Sequence, residues 1–189
     1  GYQEILTAPS YAGQIAPFPS PHSGNVGTND EALESLEAAP ASGVRGTVVA
    51  SAVTNPSNWR SSSHLDGWLR ARGIVGITGV DTRALTARIR DQGMPNAVIA
   101  NDPEGKFDRE ALKARAAALA PMEGLDLVPP VTSRAPSEWS ETVWALGNGY
   151  GKRAPGEGLK VVAIDYGVKR NILRLLAQAG CDVTVVPAT

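Results

Sequence analysis

Nucleophilic, acid–base and metal chemistry draw on few residue types, and this 189-residue sequence holds one cysteine, Cys181, and two histidines, His22 and His64. A single thiol excludes an intrachain disulfide framework and a thiolate metal cluster. As the only candidate sulfur nucleophile, Cys181 follows a predicted helix and precedes a predicted strand, which puts it at that strand's N-terminal end. Ligand sites in open α/β sheets gather at the opposite, C-terminal ends. A nucleophile elbow lies instead between a strand and the following helix, flanked by Gly. Cys181 is therefore read as a buried structural residue. His22 sits in a Pro-flanked loop and His64 near a helix start; neither belongs to a spaced ligand set, so no metal site is expected.

Three polar clusters remain. Asp81-Thr82-Arg83 precedes an apolar-periodic run, which is where helix-capping residues belong. Lys169-Arg170-Asn171 falls in the first turn of a predicted helix, where cations oppose the helix dipole. A solvated face, an anionic partner or a polar interface would each accommodate them, and the solvated face is the commonest. Asp165-Tyr166-Gly167 turns between a strand and that helix. Dinucleotide binding needs Gly-x-Gly-x-x-Gly there, so that backbone can approach the pyrophosphate. This turn has one Gly with bulky neighbours, and no Walker pattern occurs elsewhere.

The elements that must position these residues follow from periodicity and punctuation. Pro9, Pro17, Pro19 and Pro21 argue for irregular chain over residues 1–29. Asp30 can cap a short helix through Glu37, stopped by Pro40. Arg45–Val53 reads as a β-branched strand and Ser61–Arg72 as an amphipathic helix with Gly73 as its stop. Ile74–Thr78 reads as a strand, and Asp81 caps a helix that ends at Gly93. Ala97–Ala100 is expected to be a strand, Phe107–Ala120 a helix ended by Pro121, and Glu141–Leu146 a strand. These make an N-terminal α+β domain over residues 1–146. Residues 147–158 carry five Gly and one Pro, the composition of a linker or mobile hairpin. From residue 159 the signal is a βαβ unit. It comprises a continuous apolar strand Lys160–Ile164 of the doubly buried kind, a helix Val168–Ala179 burying Ile172, Leu175 and Leu176, and a strand Val183–Val186. Two parallel strands need more sheet and helix to cover them, so the sequence is expected to be an incomplete piece of a larger protein. The overall fold class expected is α/β.

Composition narrows the partners. A net charge of −1 without clustered Lys/Arg argues against nucleic-acid or anionic-membrane binding. No apolar run approaches the ~20 residues that span a bilayer. The start, Gly1-Tyr2-Gln3-Glu4, shows no initiator Met and no signal pattern, and the cytoplasm is the default compartment.

Several segments together resemble the small subunit of glutamine-hydrolysing carbamoyl-phosphate synthase. They are Gly1 to Thr7, Pro9-Ser10-Tyr11, the loop Pro21 to Asp30, Ser57-Asn58-Trp59-Arg60, Ile74-Val75-Gly76-Ile77, Asp81 to Thr86, and Asp165 to Arg174. The resemblance implies a small-subunit N-terminal domain, lacking its first strands, followed by the start of a class I glutamine amidotransferase domain at residue 159. It implies hydrolysis of L-glutamine and passage of ammonia to a large subunit. That partner would make carbamoyl phosphate, for arginine and pyrimidine biosynthesis, using bicarbonate and ATP with Mg or Mn ions. No cofactor is implied in this chain. The family's Cys, His and Glu are expected beyond Thr189, and Cys181 is not that Cys. One substrate contact carries over: the Ser of the family's Asp-Pro-Ser-Tyr motif, here Ser10, is implied to reach bound L-glutamine. The usual Asp before that Pro is Ala8 here. A second reading, of a different class, is that the chain alone is a non-catalytic docking module for the large subunit.

Overall fold

A computed structural model describes residues 1–36 and 43–189 of the chain. The first helix, α1 (Tyr2–Thr7), and a 3₁₀ turn at Pro9–Tyr11 lead into strand β1 (Ile15–Phe18). This corrects the irregular reading of residues 1–29. Pro9 falls after α1 rather than within it. Pro17 is tolerated because β1 is an edge strand of its sheet, where an absent N–H need not break a ladder. Strand β2 (Gly46–Val49), helix α2 (Leu65–Ala71), strand β3 (Val75–Ile77) and helix α3 (Thr82–Gln92) follow, inside the expected bounds. The three strands form a parallel sheet in the order β1-β2-β3. Leu6, Phe18, Val44, Val49, Leu65, Trp68, Leu69 and Ile74 pack into the core that joins α1 and α2 to this sheet.

Two expected elements are absent from this region. Residues 30–36 are not helical: the Asn29 side-chain oxygen accepts hydrogen bonds from the N–H groups of Glu31 and Ala32 (3.0 and 2.8 Å). That local turn competes with a helix start. Glu37 and Pro40, the expected end of that helix, lie outside the described residues. Ala97–Ala100 joins no sheet. Its β-branched character serves packing instead, since a methyl group built on Gly46 would lie 2.7 Å from Ile99 Cγ2. Helix α4 (Arg109–Ala117) is capped by Asp108.

The second region is built on strands β4 (Ser137–Trp139), β5 (Glu141–Ala145), β6 (Gly149–Lys152) and β7 (Leu159–Asp165), helix α5 (Arg170–Gln178) and strand β8 (Cys181–Pro187). β5 and β6 form an antiparallel hairpin, so part of the Gly-rich stretch is ordered sheet. β7 and β8 pair in parallel across α5, as a βαβ unit requires. β4 adds antiparallel to the far side of β8, giving the mixed order β4-β8-β7. The fold is thus α/β with one parallel and one mixed three-stranded sheet.

Burial departs from expectation in both halves of the βαβ unit. β7 is an edge strand with one covered face, so Val162 and Ile164 are exposed rather than doubly buried. On α5 the buried residues are Leu173, Arg174 and Ala177, while Ile172 and Leu175 are more than half exposed and Leu176 is half-buried. The helix is rotated so that Leu173 packs with Val183 and Val185 and Arg174 reaches an acidic partner on β5.

The loop entering β7 is held by Asp182. Its carboxylate accepts from the Arg153 guanidinium and from the N–H groups of Gly156 and Gly158 (3.0 and 3.1 Å). The Arg153 hydrogen bond, aided by those amides, holds this carboxyl below the usual carboxylate range. A depressed pKa contributes stability above the unfolded value of about 4 that is lost as the pH falls through the folded value. The stability advantage of the wild type over Asp182→Asn, from urea denaturation, should be constant between about pH 7 and 5 and shrink below about pH 4. An undiminished difference at about pH 3 would contradict this assignment.

Candidate functional site

Ser10 lies in the 3₁₀ turn that follows α1, behind a proline that stiffens its approach. Ser10 is exposed, and among the described residues no group bonds its hydroxyl; its carbonyl accepts from Gln14 Nε2 (3.2 Å). Pro9 is buried against the second region. A methyl group built on Gly167 would stand 3.1 Å from Pro9 Cβ and 3.2 Å from Val131 Cγ2. A side chain at residue 167 would crowd Pro9, and glycine also suits the φ of +92° adopted there. This contact places Pro9, the residue before Ser10, at the turn leaving the carboxyl end of β7, the kind of edge at which α/β sheets bind ligands.

Asp165, the last residue of β7, is 1% exposed. One of its oxygens accepts from the N–H groups of Gly167 and Val168 (2.9 and 2.8 Å), and the other from Ser133 N–H (2.7 Å). The segment 131–133 is tied to β8 as well, since Ala188 N–H donates to Thr132 Oγ1 (2.9 Å). The turn after β7 and the segment beside Pro9 thus share one anchor.

A second link joins the N-terminal segment to α5. Glu34 is 9% exposed, and its carboxylate accepts from Asn171 N–H (3.0 Å) while its carbonyl accepts from Arg170 N–H (3.0 Å). Glu34 N–H in turn donates to Thr7 Oγ1 (3.1 Å), whose hydroxyl donates to the Gln3 carbonyl (3.0 Å). The backbone amides of Arg170 and Asn171 are thereby met at a polar interface: an acidic residue from far along the chain supplies the anion that a helix N-terminus favours.

Beside this link runs a row of alternating charges and rings. Arg174, 2% exposed, donates from Nε to Glu141 Oε1 (2.7 Å) and lies 3.8 Å above the Tyr150 ring centre. Tyr150 donates its hydroxyl to the Glu31 carbonyl (3.2 Å). The Glu31 carboxylate pairs with Arg60 at 2.6 Å, and Arg60 covers Trp144 at 4.1 Å. Burial, opposed by Arg174 and helped by Glu141, Glu34 and Glu31, pushes the Tyr150 hydroxyl above its ordinary value. It stays a donor at neutral pH.

The remaining candidates are not brought to this edge. Cys181 opens β8 at the opposite end of the strand and is half-buried among Leu173, Val183 and Val185. His22 is exposed in its loop, and His64 caps α2 by accepting Asp66 N–H on Nδ1 (3.1 Å). Asp81 accepts Ala84 N–H (2.9 Å), as a cap should, with Thr82 buried and Arg83 exposed. Sequence reasoning missed Glu34, Glu141 and the three-amide role of Asp165. Only the last had a local signal, the Asp-x-Gly turn in which an Asp bonds amides two and three residues on. Among the described residues no helix is long and apolar enough to cross a membrane.

Fold and contacts together define an α/β protein in which the turn at Pro9 of an N-terminal segment packs on the turn after the first strand of a βαβ unit. The family model described as carbamoyl-phosphate synthase small chain, CPSase domain, matches residues 1–99. Curated relatives match the chain along its length. A carbamoyl phosphate synthase small chain of Bradyrhizobium diazoefficiens is 57% identical over 189 residues, 100% of this chain and 48% of the relative. One from Mesorhizobium japonicum is 60% identical over 188 residues, covering 47% of that protein. One from Rhizobium meliloti is 56% identical over 189 residues, also 47% of its length. The chain belongs to the carbamoyl-phosphate synthase small-chain family, and it spans about half the length of these relatives.

The Glu34 link carries a stability prediction. Glu34→Ala uncaps α5 and should cost about 1–2 kcal/mol in urea denaturation, with Glu34→Gln losing less because its amide oxygen still accepts. Equal stability of Glu34→Ala and wild type would contradict the capping role.

Proposed function

We propose that this chain forms part of the small chain of a glutamine-hydrolysing carbamoyl-phosphate synthase. In this reading residues 1–146 are the small-chain N-terminal domain, 147–158 a connecting stretch, and 159–189 the start of a glutamine amidotransferase domain. The full protein, acting in the cytoplasm, hydrolyses L-glutamine with a Cys, His and Glu outside these residues. It delivers ammonia to a large chain that combines it with bicarbonate. ATP and its metal ions belong to that large chain, and the product serves arginine and pyrimidine synthesis. The observation that most supports a part for this chain in the chemistry is the seating of Pro9, next to Ser10, on Gly167 just after β7, with the exposed Ser10 hydroxyl bonded by no group among the described residues. A hydroxyl offers both a donor and an acceptor to an amino-acid ligand.

A second reading, that these residues alone act as a docking module for the large chain, is favoured by the position of the sole thiol, Cys181, at the edge away from Ser10. The two readings apply to different lengths of the protein, and one assay separates them. The full-length protein should release ammonia from glutamine. This 189-residue chain should not, because it presents no activated thiolate at that edge.

In the full-length protein with its large chain, Ser10→Ala should raise the KM for glutamine roughly three- to thirtyfold and leave ammonia-driven synthesis unchanged. An unchanged KM would remove Ser10 from the site.

A further inference from the structure

We infer that Asp165 is a positioning residue for glutamine, acting through Pro9 to place the Ser10 hydroxyl. This rests on the glutamine contact proposed for Ser10. Asp165 is 1% exposed, and among the described residues no cation pairs with its carboxylate. Burying a carboxylate without a counter-charge is costly unless hydrogen bonds satisfy it. Here three backbone N–H groups do so, from two separate segments: Gly167 and Val168 on one side, Ser133 on the other. Gly167 faces both Pro9 Cβ and Val131 Cγ2, so the turn that seats Pro9 is itself packed on the segment that holds Ser133.

The choice of Asp follows from acceptor count. Both oxygens are used, one twice. An Asn has only one acceptor oxygen and would set its NH₂ against at least one backbone N–H. Asp165→Asn therefore keeps side-chain volume while freeing either the turn at Gly167 or the segment at Ser133. Each release loosens the seat of Pro9, and with it the position of Ser10. None of these bonds reaches a reacting atom, so the effect on glutamine passes through Ser10.

The test is a double-mutant cycle on the full-length small chain bound to its large chain, reading kcat and KM for glutamine and the rate with ammonia. Asp165→Asn should raise the glutamine KM about tenfold, change kcat by less than about twofold and leave the ammonia-driven rate intact. Added to Ser10→Ala it should raise KM no further, because both changes remove the same contact. A fall in kcat with unchanged KM, no effect of Asp165→Asn, or multiplying effects on KM in the double variant would each overturn the inference. Gly167→Ala is an independent probe that keeps the carboxylate. Its methyl group would press on Pro9 Cβ from 3.1 Å, and the same rise in KM, absorbed by Ser10→Ala, is expected. If Asp165→Asn does not fold, this variant decides the matter. A Ser10→Ala variant with unchanged KM overturns the glutamine contact itself, whereas a raised KM there with multiplying effects overturns only the role of Asp165.

Discussion

The N-terminus of α5 cannot sit in a half-buried seam with its amides unpaired and cations in its first turn. Glu34 meets that constraint. Its carboxylate and carbonyl take the amides of Asn171 and Arg170, and its own amide is held by the Thr7 hydroxyl at the end of α1. One acidic residue thereby orients the βαβ unit against α1, the helix that leads into Pro9 and Ser10. The rotation of α5 is consistent with that anchorage: Asn171 meets Glu34, Leu173 meets the sheet, and Arg174 meets Glu141.

The seam is largely polar, which bears on specificity more than on stability. A pair such as Arg174–Glu141, buried on the arginine side and partly exposed on the other, gains little net free energy over apolar packing, but stripping the buried Arg174 of its partner is expensive. Mismatched registers are penalised accordingly. Aromatic rings take part in the same logic, with Tyr150 between Arg174 and the Glu31 carbonyl and Trp144 beneath Arg60. Asp165 repeats the pattern at the strand edge, with backbone amides in place of a cation. The N-terminal core of Leu6, Leu65 and Trp68 and the smaller core around Leu173 are separate apolar clusters, joined by these polar links and by Leu36, which packs on the Leu173 core.

Elements whose signals were local were legible in the sequence. The Asp81 cap and Gly93 stop bound α3, and apolar runs around Ala163 and Val185 gave the parallel pair. Elements decided by distant partners were not. α1 and β1 were obscured by prolines that fall after a helix or on a sheet edge, where they do no harm. The segment 30–36 was pulled from helix by the Asn29 turn and the pairing of Glu34 with residues far along the chain. The buried face of α5 depended on an acidic partner at Glu141 that periodicity does not encode. Ser10 came only from the family resemblance. Nothing in its spacing reveals that Pro9 rests on Gly167.

The proposed contact of Ser10 with glutamine depends on one packing, Pro9 seated on the turn after β7. The most direct test is a crystal structure of the full-length small chain, in complex with its large chain, with glutamine bound or trapped. Ser10 Oγ should lie about 3 Å from a polar atom of the ligand, with Pro9 still packed on Gly167. Glutamine bound with that oxygen well beyond hydrogen-bonding reach would contradict the account.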